Sequence, residues 1–332
     1  MKILVTGCAG FIGSHLTEEL VDMGHDVTGL DDLSNGSYKN MESFFDNIDF
    51  SDVDIAKNES GWRSSFENVD CVFHLAALAD IVPSVQDPET YFASNVLGTL
   101  NVIEACRHYN VPQLRYAASG SCYGIPSVQP TPESAEIKPE YPYALTKRLG
   151  EELVLHWGKV YGLDVKSLRL FNVYGPRSRT SGTYGAMFGV FLAQRLAGQP
   201  LTVVGDGTQS RDFTYVSDVV AAFLSTMTSN PYAPKVDFYN VGSGVTVTVN
   251  EIVELLGCES VSIPKRPGEP DVTHADISKI GKAYGWSPKI DIKTGVQKLL
   301  ECISYWEDAP VWTPETIDMA TKDWFRFLGR KS

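Results

Sequence analysis

The chain has 332 residues, 43% of them hydrophobic and 21% charged, and carries a formal net charge of −13 at pH 7. This length and apolar fraction suit one large or two modest globular domains, and the acidic balance argues against nucleic acid as a partner, because nucleic-acid phosphates need a basic face. No run of apolar residues reaches the length of about 18 that a membrane span needs, so we expect no membrane partner. Lys2 begins a predicted strand, so we expect no signal peptide.

The six cysteines lie far apart in the sequence and form no C-x-x-C pair. Four of them stand in or beside apolar stretches, which favours buried, reduced thiols and a reducing compartment. We therefore expect a cytoplasmic protein with free cysteines, and we predict no metal site. The cysteines are Cys8, Cys71, Cys106, Cys122, Cys258 and Cys302.

Two predicted strands enclose a predicted helix in the first 32 residues. Residues 2–6 are apolar and β-branched, as in a buried strand, and residues 25–30 form a second such run. The helix between them is predicted to stop at Gly24, and its apolar face carries Ile12, Leu16, Leu20 and Met23. Strand, glycine-rich turn, helix and strand together are typical of the dinucleotide-binding βαβ unit.

Three glycines stand three residues apart between the first strand and the helix. Gly7 allows a sharp turn, Gly10 allows the backbone to approach a pyrophosphate, and Gly13 allows the helix to lie close to the strand. The helix N-terminus then offers free N–H groups and the positive end of its dipole to the phosphates. An acid at the end of the second strand, Asp31, can bind a ribose hydroxyl and would repel a 2′-phosphate. The unit therefore predicts NAD as the cofactor.

Strands and helices alternate through the first 171 residues. Further strands are predicted at 48–53, 70–75, 113–118 and 165–171, and helices at 91–109 and 143–161, after a proline-rich loop at 126–142. This alternation predicts an α/β fold with a doubly wound, Rossmann-type parallel sheet. Because His74 lies within an apolar run, we expect a core histidine and not a ligand.

Beyond residue 176 the predicted elements become shorter and the loops longer. Helices at 184–197 and 217–227 and a strand at 201–204 predict a second, smaller α/β lobe. We assign residues 1–171 to the NAD-binding domain, with a returning segment at about 212–242, and residues 172–211 and 243–306 to the substrate lobe. The tail, residues 307–332, is predicted to be helical and to pack on the smaller lobe through Ile317, Ala320, Trp324 and Phe327.

Tyr143 and Lys147 stand four residues apart at the start of a predicted helix, so their side chains share one face. Tyrosine, with a pKa of about 10, is a poor base at neutral pH, but a neighbouring ammonium and a cationic nicotinamide would lower that pKa. Ser119 ends a predicted parallel strand, at the sheet edge where such folds bind ligands. The three residues predict a base, its electrostatic activator and a hydroxyl that hydrogen-bonds the reacting oxygen.

The motifs along the chain carry a family resemblance from Met1 to about Trp306. The sequence resembles the extended short-chain dehydrogenases/reductases, in the branch of NAD-dependent nucleotide-sugar epimerases and dehydratases. The matching segments are residues 6–13, Asp31, Asp54 with Ile55, residues 74–77, Asn95, Ser119, Tyr143 with Lys147, Phe171 with Asn172, and residues 211–213 and 266–269.

The resemblance implies a set of cofactor-binding residues. Asp31 would hold the adenosine ribose, Asp54 and Ile55 would flank the adenine, and Lys147 would also reach the nicotinamide ribose. The full set is Gly7, Gly10, Phe11, Ile12, Gly13, Asp31, Asp32, Asn35, Asp54, Ile55, Leu75, Ala76, Ala77, Asn95, Tyr143, Lys147 and Phe171.

The resemblance also implies the substrate contacts. The diphosphate of a nucleotide sugar, usually UDP-linked among similar enzymes, would be held by Asn172, Arg211 and Arg266, with Glu269 on the nucleotide ribose and Thr273 beside the sugar C2 group; Ser121 is a further expected contact. Arginines suit this task because a guanidinium can bind phosphate in a bidentate way. Similar enzymes pair the helices that match 91–109 and 143–161 into a dimer interface, so a homodimer is expected.

Members of this branch begin by oxidising the sugar at C4 to a 4-keto intermediate. The dehydratases among them resemble Thr-Asp-Glu at the strand end, whereas this chain has Ser119, Gly120 and Ser121 and no acid. We therefore expect C4 epimerisation, of UDP-glucose/galactose or UDP-N-acetylglucosamine/galactosamine, which needs no further acid. The open alternatives are a 4,6-dehydratase, a decarboxylase, an epimerase at another carbon, a reductase, and a non-catalytic NAD-binding scaffold.

Overall fold

The strands of the chain form one large sheet and three small ones. A computed structural model describes residues 1–57, 61–178, 186–228 and 230–329. Its strands are β1 (Lys2–Thr6), β2 (Asp26–Asp31), β3 (Asp49–Asp52), β4 (Cys71–His74), β5 (Gln113–Ser119), β6 (Asp164–Leu170), β7 (Val173–Tyr174), β8 (Leu201–Val204), β9 (Ser210–Arg211), β10 (Thr214–Tyr215), β11 (Val236–Val241), β12 (Val247–Thr248), β13 (Ser260–Ile263) and β14 (Val272–Thr273).

The helices lie between these strands and at the end of the chain. They are α1 (Phe11–Asp22), α2 (Tyr38–Met41), α3 (Ile81–Gln86), α4 (Pro88–Phe92), α5 (Gly98–His108), α6 (Pro142–Tyr161), α7 (Met187–Leu196), α8 (Val216–Ser225), α9 (Val249–Leu256), α10 (Ser278–Tyr284), α11 (Ile292–Glu301) and α12 (Pro314–Leu328). None of the helices within the described ranges is long and apolar enough to cross a membrane.

The large sheet has seven parallel strands in the order β11-β6-β5-β4-β1-β2-β3. The strand order reverses beside β1, which pairs with β2 on one side and β4 on the other. This is the topological switch point of a doubly wound sheet, where ligands bind at the carboxyl ends of the strands. The predicted Rossmann-type fold is confirmed.

Both faces of the large sheet are covered because successive strand residues point to opposite sides. Ile3 and Val5 belong to one core cluster, together with residues of α1 and α8. Leu4, between them, belongs to the cluster on the other face, together with residues of α5 and α6. Each fully buried aliphatic side chain of this kind contributes roughly 1.5–3 kcal/mol to folding.

The smaller lobe is built from the short sheets β12-β9-β14 and β13-β8 with helices packed on them. Its core includes Phe191 of α7, Ile252 of α9, Leu299 of α11 and Trp324 of α12. The sheet strand β11 comes from the segment predicted to return to the large domain. The residue boundaries of the two domains stay a prediction.

The helix predicted at 91–109 differs from the structure in its start and in its continuity. The helical run begins earlier, at Pro88, because Asp87 caps it by accepting a hydrogen bond from the backbone N–H of Thr90 at 3.2 Å. One π-helical turn, Ala93–Leu97, then separates α4 from α5. The helix predicted at 184–197 is described from Met187 to Leu196, and its first two residues lie outside the described residues.

The side-chain environments predicted for the cysteines, His74 and the tail hold with one exception. All six cysteines are free, and the four beside apolar stretches are buried. His74 is fully buried between the hydroxyls of Thr6 (2.7 Å) and Thr99 (2.9 Å), and burial lowers its pKa to about 3. In α12, Phe327 is 50% exposed, so its predicted packing is wrong.

Candidate active site

The glycine-rich turn after β1 forms the base of the site. Gly7 adopts a φ of +77°, and a Cβ there would lie 2.7 Å from the backbone nitrogen of Ala76, which follows β4. A Cβ at Gly13 would lie 1.9 Å from the carbonyl oxygen of Gly7, so α1 can pack on the turn only with glycine at that position. Within the described residues no side chain caps α1, which leaves its N-terminal amides for a phosphate.

Asp31 lies beside this turn, at the end of β2. Its carboxylate accepts hydrogen bonds from the backbone N–H groups of Ala9 and Leu33, both at 2.9 Å. Burial raises the pKa of Asp31, and the two hydrogen bonds work against that effect. A carboxylate held here, a few residues from the open helix N-terminus, fits the adenosine ribose of NAD, which supports the predicted cofactor.

The other residues predicted to bind the cofactor line the same edge of the sheet. Ile55, after β3, is buried against Gly98, and Leu75, Ala76 and Ala77, after β4, are half-buried. Asn95 has a structural task, because its amide bonds to the backbone of Leu78 at 2.8 and 3.0 Å and also to Thr146 of α6. Predicted cofactor contacts also include Phe11, Ile12, Asp32, Asn35 and Asp54, and all of these assignments stay predictions.

Ser119 and Tyr143 lie close together at the carboxyl end of β5, where Tyr143 is in the first turn of α6 and the Ser119 hydroxyl is near enough to lower its pKa. Lys147 is buried one turn further along α6, with its ammonium 4.5 Å from the ring centre of Tyr116 of β5. The hydroxyls of Ser119 and Ser121 are 2.8 Å apart. The arrangement places a phenol and two hydroxyls together on the edge where this fold binds ligands, with the Lys147 ammonium buried on the same helix as the phenol.

Burial is the largest influence of the protein on the pKa of Tyr143 and raises it; the nearby Ser119 hydroxyl works against that effect, and the charge of Asp80 adds to the increase. The predicted lowering of this pKa by Lys147 together with a cationic nicotinamide stays a prediction. Burial also lowers the pKa of Lys147 to about 7, opposed by Glu151 one turn further along α6.

The two predicted phosphate-binding arginines lie together on the smaller lobe. Glu269 joins them, since its carboxylate is 3.1 Å from the Arg266 guanidinium and 4.0 Å from that of Arg211. Burial lowers the pKa of Arg211, and the charge of Glu269 opposes this. Side chains of all three are mostly buried, with 12–20% exposed, so a diphosphate bound here would be partly shielded from water.

Asn172 and Thr273 lie next to these arginines. The Thr273 hydroxyl donates a hydrogen bond to Oδ1 of Asn172 at 3.0 Å. In the parallel pair β9–β14, Thr273 is the register partner of Arg211. The substrate residues predicted from distant parts of the sequence are therefore neighbours in the structure.

Sequence reasoning missed two residues of the site, Tyr141 and Asp80. Tyr141 immediately precedes α6 and lies close enough to Ser121, Arg211 and Glu269 for them to affect its pKa. Asp80, which precedes α3, acts electrostatically on Tyr143. Their place in the sequence, in loops just before helices, was the only available signal.

The packing around Gly120 explains why no acidic residue stands at this position after β5. A Cβ at this position would lie 2.9 Å from the ring of Phe171, which is buried after β6. A larger side chain at residue 120 would have to displace that ring. The site therefore has hydroxyls, and no carboxylate, at residues 119–121.

Comparisons with known proteins agree with this geometry. The model of a family described as "NAD dependent epimerase/dehydratase family" matches residues 3–242. UDP-glucose 4-epimerase from Thermotoga maritima, solved with UDP-glucose, is 33% identical, with a TM-score of 0.85 over 93% of this chain and 99% of that one. UDP-glucuronic acid 4-epimerase from Bacillus cereus, solved with UDP-glucuronic acid and NAD, is 30% identical, with a TM-score of 0.83 over 92% and 99%.

A third solved structure, UDP-N-acetylglucosamine 4-epimerase from Methanobrevibacter ruminantium with UDP-N-acetylmuramic acid, is 30% identical, with a TM-score of 0.83 over 91% of this chain and 98% of that one. The predicted cofactor, NAD, is the cofactor by which the matching family is described. From its sequence, its fold and its site, the chain belongs to the NAD-dependent epimerase/dehydratase family of nucleotide-sugar enzymes.

Proposed function

We propose that this protein is an NAD-dependent 4-epimerase of a UDP-sugar. The observation that carries the proposal is that Ser119 lies close to Tyr143 at the start of α6, the helix that also carries Lys147. Tyr141, two residues before Tyr143, lies within reach of the charges of Arg211 and Glu269 on the smaller lobe. The similar structures from Thermotoga maritima, Bacillus cereus and Methanobrevibacter ruminantium are 4-epimerases of three different UDP-sugars. They support C4 epimerisation as the reaction and UDP as the nucleotide. Because their sugars differ, the sugar has to be inferred from the residues of this chain.

Each residue of the group has a task in this reaction. The glycine-rich turn and Asp31 would hold NAD, which when bound would supply reversible hydride transfer at C4 of the sugar. Tyr143, as phenolate, takes the proton of the C4 hydroxyl and later gives it back. Ser119 hydrogen-bonds the same oxygen and Lys147 stabilises the phenolate charge. Arg211 and Arg266 hold the diphosphate, so that the sugar can turn over while the nucleotide stays bound.

Dehydration and decarboxylation are less well supported by the site. Elimination of water from C5 and C6 needs a group that removes one proton and another that protonates the leaving hydroxyl. Residues 119–121 offer two hydroxyls, and the ring of Phe171 occupies the space beside Gly120. Epimerisation needs no group beyond those present.

The experiment that tests the proposal is incubation with a panel of UDP-, dTDP-, GDP- and CDP-sugars, with products identified by NMR. We expect the C4 epimer of at least one UDP-sugar and no change in sugar mass. A product that has lost water or carbon dioxide would replace the proposal by one of the alternative reactions.

We also propose a cytoplasmic location for the protein, because its six free cysteines suit a reducing compartment.

Thr273 leads to a prediction about sugar size. A small residue beside the sugar C2 group leaves room for an acetamido group, so we expect UDP-N-acetylglucosamine to be epimerised at a rate comparable to, or above, that of UDP-glucose. Thr273→Tyr should fill this space and lower kcat/KM for the N-acetylated substrate at least about tenfold more than for UDP-glucose. Thr273→Ser, which keeps the hydroxyl bonded to Asn172, is the matched control. Equal loss of both substrates in Thr273→Tyr would show that Thr273 does not select by size.

The helices α4, α5 and α6 lead to a prediction about assembly. Apolar side chains are exposed on and between them, including Phe92 (44%), Leu97 (43%) and Leu145 (47%). We propose that this surface forms the interface of a homodimer. Light scattering at micromolar concentration should give twice the mass of one 36.5 kDa chain, and Leu97→Glu with Leu145→Glu should give single chains. Met23→Glu is the control, because Met23 is exposed at the end of α1, and it should leave the measured mass unchanged. A wild-type protein with the mass of a single chain would contradict the proposal.

A further inference from the structure

Trp324, in the C-terminal helix α12, lies against the segment that carries Arg266. Its side chain is 1% exposed, and its indole N–H donates a hydrogen bond of 2.7 Å to the backbone carbonyl of Pro267. The guanidinium of Arg266 lies 5.7 Å from the centre of the indole ring, a cation–π distance. One side chain therefore contacts both Arg266 and the backbone directly after it.

The indole also lies close to the start of α6. The ring of Tyr141 lies 6.1 Å from that of Trp324, and the rings of Tyr141 and Tyr143 are 6.4 Å apart and nearly parallel. Ser121 is near enough to the Tyr141 hydroxyl to lower its pKa. Trp324 therefore lies next to both Arg266 of the smaller lobe and Tyr141 at the start of α6.

Helix α12 is held by a cap at its N-terminus and by contacts with the smaller lobe and with α3. Thr313 caps its N-terminus in a capping box, and Ile317 and Thr321 are buried. Ile317 lines a crevice together with Ile263 and Arg266 of the smaller lobe, and the carbonyl of Ala320 accepts a hydrogen bond of 3.3 Å from Gln86 of α3. Residue 324 lies beyond the 3–242 segment that the family model matches, so the family match says nothing about its role.

We propose that Trp324 is a positioning residue for the substrate, which makes the C-terminal helix part of the nucleotide-sugar site. The proposal rests on the proposed function in that Arg266 binds the diphosphate. The indole face limits the orientations of the Arg266 guanidinium, and the hydrogen bond to Pro267 fixes the backbone that carries it. A guanidinium oriented before binding loses less conformational entropy when it takes up a phosphate. The same indole packs near the ring of Tyr141 and so also helps to position Tyr141 next to Ser121.

The test measures binding of UDP to the NAD-containing protein by calorimetry, together with NAD content and the melting temperature. Trp324→Leu should raise the Kd of UDP about tenfold, since it removes the aromatic face and the N–H group, while NAD content stays at the wild-type level. Phe327→Ala, on the same helix at a half-exposed position, is the control and should change the Kd less than about twofold. A Kd within twofold of wild type in a folded Trp324→Leu protein would overturn the proposal.

If Trp324→Leu does not fold or loses NAD, Trp324→Phe decides the question, because it keeps an aromatic ring and removes the five-membered ring whose N–H group binds Pro267. A UDP affinity equal to that of wild type would then overturn the proposal, and a weaker one would support it.

A double-mutant cycle separates positioning from general support of the fold. In an Arg266→Ala background, Trp324→Leu should change the Kd of UDP by less than about twofold, because the side chain that it orients is gone. A full additional tenfold loss would show that Trp324 does not act through Arg266. Since the readout is UDP binding, a wild-type protein that binds UDP but epimerises no sugar would contradict the proposed function and leave this coupling measurable.

Discussion

We expect Tyr143→Phe to lower kcat for epimerisation at least about 100-fold, the size of effect that follows when a general base is removed, and to leave NAD binding unchanged. Phenylalanine keeps the ring, which lies nearly parallel to that of Tyr141, and removes only the hydroxyl, which lies near Ser119. The loss should therefore appear in the chemical step and not in the amount of bound cofactor. Turnover by NMR and NAD released from the purified protein are the two measurements.

Tyr161→Phe is the matched control, because Tyr161 is at the far end of the same helix and 53% exposed. It should have wild-type activity. A Tyr143→Phe protein that keeps more than a few per cent of the wild-type rate would show that another group is the base.

Lys147→Ala should weaken both NAD binding and catalysis. Lys147 is buried, its ammonium lies 4.5 Å above the ring of Tyr116, and burial lowers its pKa to about 7. A charge held in such a place interacts strongly with its neighbours, so its removal should lower kcat about tenfold or more and reduce the bound NAD. The amount of NAD per chain and the rate at saturating substrate measure the two effects separately.

Lys159→Ala is the control for this substitution, since Lys159 is exposed on the last turns of α6. We expect no change in either quantity. If Lys147→Ala kept both its NAD and its rate, the dual role assigned to Lys147 would be wrong; if it lost only one of them, the role linked to the other would be wrong.

The parts of the fold and site that follow from local patterns could be predicted from the sequence. The turn at Gly7, the acid at Asp31 and the helix that presents Tyr143 and Lys147 depend on residues a few positions apart, and the structure places them as expected. The meeting of Arg211, Arg266 and Glu269 depends on how the smaller lobe closes, and only the resemblance to known enzymes suggested it.

The features that sequence reasoning missed arise from tertiary packing. The pattern of the tail predicts Trp324 as an ordinary core residue, and its contact with Arg266 requires α12 to reach across to that loop. No local pattern marks Tyr141, because the nearby Ser121 is on another element. The sequence also gives no sign that desolvation is the largest effect of the protein on the pKa of Tyr143 and raises it. Burial of this kind is a property of the fold and has no signature in the local sequence.

The central claim is that the sugar is oxidised and reduced at one carbon, C4, by a single group of residues around Tyr143. Its most direct test is incubation with UDP-glucose and UDP-N-acetylglucosamine that carry deuterium at C4, followed by NMR of the products. We expect a mixture of the two C4 epimers of each accepted sugar, with the deuterium still at C4. A product with deuterium at another carbon, or a 4-keto-6-deoxy sugar that has lost water, would contradict the claim.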